Sequence, residues 1–289
     1  MKSLPLPLIG LLAAAACGTP TSQSEMEKTP AAEPSVTLAW QSDSLFTGSE
    51  SALYDEANDR IYVSNGNTDA SAKDNDGFIS ILETDGTVSE LKWVSEGLHA
   101  PKGMAILNGK LYVSDIDELK IIDVSTGQIE NILAVDGAGF LNDVATDGSQ
   151  IYVSDMRAGT IYAFSPDGEY TIIVENSPNV NGLECYDGHL YALDGEGLKR
   201  FSKDGNYTAE ILYPEMTGGD GLVILNDSTY VASRWHGEIF FIRGSETYIV
   251  LDTREDSSNT ADIGFVKGKN LVIVPTFLKN GVAAYELAY

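Results

Sequence analysis

Histidine and cysteine are scarce: 289 residues contain three His and two Cys. His99, His189 and His236 lie far apart, which argues against a histidine zinc site. Positive charge is scarce as well, 18 Lys and Arg against 43 Asp and Glu, for a formal net charge of −25. That excess excludes nucleic acid and anionic surfaces as natural partners and reads as a solubilising surface. The sequence has no G-x-S-x-G elbow, no phosphate-cradling glycine loop and no H-E-x-x-H motif. Past the first residues there is no convincing helical periodicity either.

The first seventeen residues, MKSLPLPLIGLLAAAAC, carry one positive charge at Lys2 and an apolar stretch from Leu4 to Ala16. The stretch is too short to span a bilayer and reads as an export signal. Its end, LLAAAAC, resembles a bacterial lipobox, with Ala14 where leucine is favoured, so lipidation at Cys17 is expected. Ordinary cleavage after an A-x-A site is the alternative. Gly18 after the cysteine implies an outer-membrane anchor facing the periplasm, or else an exported protein. With Cys17 lipidated, Cys185 is the one thiol left and no intramolecular disulfide can form. Cys185 sits in NGLECY, an apolar strand pattern, and is expected to be buried and inert. Residues 18–35, rich in Pro, Ser, Thr and Glu, read as a disordered tether.

From residue 36 onward, apolar and aromatic residues alternate in short runs bounded by Gly, Asp, Asn and Pro, the signature of strands. Five segments align without a gap: PKGMAILNGKLYVSD (101–115), LNDVATDGSQIYVSD (141–155), VNGLECYDGHLYALD (180–194), GDGLVILNDSTYVAS (219–233) and ADIGFVKGKNLVIVP (261–275). A sixth, ESALYDEANDRIYVSN (50–65), fits with a longer turn. Counted from their second residues the spacings are 40, 39, 39 and 42, with 52 from Glu50 to Lys102. Periods near 40 with four strands each indicate propeller blades. The last repeat supplies three strands before Tyr289, and VTLAWQSD (36–43) supplies the missing fourth. The expectation is an all-β domain over 36–289, a six-bladed β-propeller whose last blade is closed by the N-terminal strand and hides its edge. A β-sandwich would not explain six registered repeats.

The first strand of each blade lines a propeller's channel, so the alignment assigns one residue per blade to the mouth: Glu50, Lys102, Asn142, Asn181, Asp220 and Asp262. All six are polar, although each leads into an apolar strand. Gly219 and Gly221 flank Asp220 and would allow close backbone approach. Two like charges about 4 Å apart cost ~1 kcal/mol in water and ~4 at an effective dielectric of 20. Three acids and one lysine leave a formal ring charge of −2, which a divalent cation would balance. Carboxylate and amide oxygens suit Ca²⁺ first, or Mg²⁺ or Mn²⁺.

These residues resemble the gluconolactonase/regucalcin (senescence marker protein) family. S-E-S-A-L-Y-D at 49–55 is similar to its P-E-G-P-x-W-D segment; LNDVATD, VNGLE and GDGLVIL resemble its R-x-N-D, S-N-G-L and P-D-G-M segments, in order. The resemblance implies that Glu50, Asn181 and Asp220 hold the metal, with Asn142 as a fourth ligand or a substrate contact. It implies hydrolysis of a lactone or related ester, with Asp220 helping to activate water. Two residues depart from the pattern. Phe140 replaces the family's substrate-anchoring arginine, and Lys102 enters the ring where the related paraoxonases have a histidine. Lys102 is then either a catalytic anchor replacing that arginine or an internal counterion that abolishes metal binding.

Arg234 and His236, in S-R-W-H after the second strand of the Asp220 blade, are candidates for binding a carboxylate or sugar and for moving protons. His99 reads as a loop residue. Asp115, Asp155 and Asp194, which end second strands, are expected to bond the backbone of turns. A monomer acting on a small molecule is expected. The alternative function is a non-catalytic NHL-type propeller that binds a ligand or protein partner, since fold alone does not decide activity.

Overall fold

In a computed structural model, which describes residues 1–5, 32–67 and 69–289, the chain divides into two units, Met1–Ala32 and Glu33–Tyr289. The described residues of the first carry no helix or strand, and no described helix is long and apolar enough to cross a membrane. Cys17, most of the apolar stretch before it and most of the proposed tether lie outside the described residues.

The second unit is built of six four-stranded antiparallel sheets. Blade one runs from β2 (Ser49–Asp55) through β3 (Arg60–Asn65) and β4 (Phe78–Glu83) to β5 (Val88–Val94). Blades two to five begin with β6 (Pro101–Leu107), β10 (Leu141–Thr146), β14 (Leu183–Tyr186) and β18 (Gly219–Asn226), each followed in order by three more strands. Blade six joins β22 (Gly264–Val266), β23 (Leu271–Pro275) and β24 (Val282–Ala288) to β1 (Ser35–Gln41) from the other end of the unit. Val36 pairs with Leu287 and Leu38 with Tyr285, so the closure expected from the sequence is present. The fold is the six-bladed propeller.

The (L/I)YV strands explain why blades stack. Each is the second strand of its sheet, covered on both faces, so alternate residues all find apolar partners. Leu111 and Val113 are fully buried toward blade one, where they meet Tyr62 and Ile79. Tyr112 points the other way and packs with Val144 and Val153 of blade three. The same wedge recurs around the ring as six apolar clusters.

Near the axis the inner strands come close enough to require glycine. A Cβ on Gly182 would stand 2.0 Å from the Asp220 carbonyl oxygen, and one on Gly221 would stand 2.2 Å from the Ile263 nitrogen. In blades one, two, three and five the pairing of first and second strands also shifts just past the channel mouth. Such a bulge re-aims the side chain beside it.

Candidate functional site

Glu50, Asn142, Asn181 and Asp220 line one pocket of about 390 Å³ at the channel mouth. The acids are deeply buried, Glu50 at 7% and Asp220 at 2% exposure. Asn181 donates its amide Nδ2–H to Asp220 Oδ1 at 2.8 Å. That contact orients the carboxylate and leaves its second oxygen unengaged. Glu50 Oε2, Asn181 Oδ1 and Asp220 Oδ2 are all buried without a hydrogen-bond partner. Burial, and then the charges of Glu50 and Asp262, push the Asp220 carboxyl well above its ordinary value; the Asn181 bond opposes this only partly. Burial also raises Glu50, with Lys102 pulling the other way.

Oxygen atoms that accept but cannot donate, buried side by side and unpartnered, fit a hard cation. Asn142 presents a further amide in the same pocket, its Nδ2 directed at Met156 Sδ at 3.9 Å. Among the described residues no three His, Cys, Asp or Glu side chains come together as a metal-binding group. The mouth offers two carboxylates, and a cation there would depend on the amide oxygens as well.

Lys102 is in the ring by position but not in the pocket. It is 1% exposed; its ammonium donates to the Ala100 carbonyl at 2.7 Å and the Ala70 carbonyl at 2.9 Å, and lies 4.4 Å from the centre of the Phe140 ring. It forms no ion pair with an acid of the ring. Burial lowers its pKa, opposed by the charges of Glu50 and Asp115. Asp262 departs from the expected arrangement. Its backbone bonds to Glu50 and Ala52 of blade one, and its Oδ2 accepts the Ser51 hydroxyl at 2.5 Å. The carboxylate thereby faces a second cavity of about 430 Å³ farther along the channel, with Asp143 and Glu184.

Arg234 and His236 do not line the pocket. The Arg234 guanidinium donates to the carbonyls of Thr217 and Glu215 and pairs with Glu238 at 3.1 Å, while stacking over Phe240. His236 is exposed, edge-on to Trp235 at 5.4 Å. Trp235 does line the pocket and packs on Phe277 at 5.7 Å. The loop reading of His99 holds: its backbone N–H donates to Asp115 and its Nδ1 accepts from Asn75. Asp115, Asp155 and Asp194 bind turn backbone, as expected; Asp155 accepts from Gly139, Phe140, Arg157 and Ala158. Cys185 is partly buried rather than fully, with its thiol pushed up to about 12 by burial.

Sequence reasoning missed the apolar wall made by Phe140, Met156, Trp235 and Phe277, and the loop of residues 69–77 that reaches the pocket through Ala70. The loop had a signal: the first repeat spans 52 residues where the others span about 40. The insertion falls between β3 and β4 and is tied down by Lys102 to Ala70, Lys73 to Asp117 at 2.5 Å and Arg157 to Ser71 at 2.9 Å. It forms a strap from blade one toward blades two and three.

No protein-family model and no curated protein matches the chain. Solved structures match in fold. A catalytically inactive His-to-Ala virginiamycin B lyase from Staphylococcus aureus, solved with quinupristin, superposes with a TM-score of 0.61 at 13% identity, covering 89% of this chain and 100% of that one. A streptogramin B lyase superposes with a TM-score of 0.58 at 12% identity, covering 86% and 98%. A selenomethionine form of the S. aureus lyase gives 0.61 at 12%, covering 89% and 100%. The likeness is one of propeller architecture.

Proposed function

We propose that the mouth pocket is the active site of a divalent-metal-dependent hydrolase of the gluconolactonase type, acting on a lactone or related ester. The observation that carries this is the trio of buried, unpartnered oxygens on Glu50, Asn181 and Asp220. These three residues would hold the ion, Ca²⁺ by preference, with Asn142 as fourth ligand or as a contact to substrate. A bound ion supplies Lewis-acid polarisation of the carbonyl. Asp220 does the proton work. Its carboxylate, besides helping to hold the ion, takes a proton from the attacking water and returns it to the leaving ring oxygen, so lactone plus water gives the hydroxy acid. Asn181 keeps that carboxylate oriented through Oδ1. Phe140, Met156, Trp235 and Phe277 provide apolar surface against the substrate ring and limit access of bulk water.

Lyase chemistry of the kind carried by the structural neighbours has less support. A His-to-Ala change inactivates the S. aureus enzyme, whereas no histidine lines the pocket here. The positions of Lys102 and Arg234 favour neither as a catalytic or substrate-binding cation, because each is bound to backbone carbonyls. A non-catalytic binding propeller draws on that same immobility.

Metal analysis of the purified protein tests the reading. About one tightly held Ca²⁺-like ion per chain is expected, lost in Asp220→Asn, together with turnover on a lactone panel. No ion, and no change in melting temperature with chelator, overturns it. An ion without turnover leaves the binding module. The lipid anchor at Cys17 is tested separately, by mass spectrometry of protein from the cell envelope.

A further inference from the structure

The wall of the pocket at Phe140 is positively charged. Lys102 lies 4.4 Å and the Arg157 guanidinium carbon 4.6 Å from the centre of the same ring. Lys102 is enclosed, but Arg157 is exposed at the pocket's edge. A side groove of about 440 Å³ continues from the pocket, sharing Met156 and Asn179 with it, and Arg157 lines that groove. The groove's one acid, Glu196, is paired with Lys199 at 2.5 Å.

The Arg157 guanidinium makes two hydrogen bonds among the described residues, to the Gly139 carbonyl at 3.3 Å and to the Ser71 hydroxyl at 2.9 Å, and no ion pair with a carboxylate. In a chain with 43 acids and 18 basic residues, that is an unusual position for an arginine. Its fork of five donors matches a carboxylate, and two neutral contacts leave donors to spare. Phe140 underneath holds the guanidinium plane without competing for its hydrogen bonds.

We propose that Arg157 anchors a carboxylate of the substrate, so that the pocket takes a lactone or ester bearing that group on an arm directed into the side groove. One guanidinium carries one charge, which suits a carboxylate better than a phosphate dianion. The inference rests on the hydrolase reading for the scissile group alone; the anion subsite stands on the groove and its arginine. The anchoring cation therefore enters from the loop after the second strand of blade three. Phe140, at the position where the family resemblance led one to expect an arginine, becomes its platform.

Calorimetric titration with one sugar lactone in two forms, glucarolactone with a terminal carboxylate and neutral gluconolactone, tests this. The intact protein is expected to bind glucarolactone roughly tenfold to a hundredfold more tightly, the range for a hydrogen bond to a charged group. Arg157→Ala should abolish that preference and leave gluconolactone binding unchanged, with an unaltered melting temperature. Arg157→Lys should keep part of it. Ser71→Ala, which removes only the strap contact, should keep all of it. Equal binding by the intact protein, no binding of glucarolactone, or Arg157→Ala weakening both lactones alike overturns the proposal. So does the same loss in Ser71→Ala, which would confine Arg157 to holding the strap. Hydrolysis followed in parallel separates the two readings: preference without turnover removes the hydrolase, and turnover without preference removes the anion subsite.

Discussion

At the scale of single residues, the chemistry turns on Asp220. Its Oδ2 is buried among other acceptors, and burial together with Glu50 and Asp262 already favours its protonated form. Without a cation this carboxyl is a source of instability; with one it becomes a ligand. Asp220→Asn should therefore change sign with conditions. In chelator at pH 8 it is expected to stabilise the protein by on the order of 1 kcal/mol, because the cost of burying an ionisable carboxyl beside Glu50 is removed. In excess Ca²⁺ it should instead lose the stabilisation that ligand binding confers on the folded state. Thermal melts of both proteins in both buffers check this, and a uniform loss of stability would contradict it. Because the carboxyls must ionise to bind, metal affinity should rise with pH and binding should release protons, readable by calorimetry in buffers of different ionisation enthalpy.

Between residues and the whole lie the inner strands and the strap. Gly182 and Gly221 bring neighbouring strands within a distance that no side chain permits. Gly221→Ala is expected to cost roughly 2–4 kcal/mol, the scale of overpacking with backbone displacement, while Gly268→Ala, where nothing lies within 4 Å, should be close to neutral. Chemical denaturation of the two variants makes the comparison. The strap is held by Lys102 from beneath, so Lys102→Met should keep the fold and speed trypsin cleavage after Lys73 several-fold; an unchanged rate would deny Lys102 that role. These elements also show what could be read in advance. The blades, their closure and four of the mouth residues were legible, because the L/I-Y-V strands set a register that every later residue inherits. Asp262 was not, because its carboxylate turns to the Ser51 hydroxyl of blade one, and a contact between blades leaves no mark in a gap-free alignment. Arg234 misled because a flexible guanidinium can satisfy itself on nearby carbonyls, which only the folded loop provides. Arg157 went unnoticed because its significance is the absence of an acid partner in three dimensions.

For the whole molecule, the channel concentrates acids that the surface would otherwise solvate. Beyond the mouth, Glu184 is raised from 4.5 to about 7 by burial, and Asp262 from 3.8 to about 7 by burial and by its acidic neighbours against the Ser51 bond. A carboxyl raised on folding stabilises the fold below its unfolded-state pKa, and that contribution is lost as pH rises through the folded value. Both groups therefore favour the fold near pH 4.5 and cease to do so by about pH 7.5. At about 1.4 kcal/mol per unit, Glu184 alone corresponds to roughly 3 kcal/mol across that window, an upper bound given the channel's access to water. Asp252, lowered to about 2 by Arg254, loses its contribution only at more acid pH and does not oppose the trend. The metal-free protein should thus melt at progressively lower temperature from pH 5 to pH 8. Glu184→Gln should flatten that slope without touching the mouth. Saturating Ca²⁺ should flatten it from the other end of the channel, by offsetting the charge on Glu50 that also acts on Asp262. A melting temperature that rises over this range in chelator would mean that the channel acids are solvated, and the balance of charge along the axis would then have to be drawn differently.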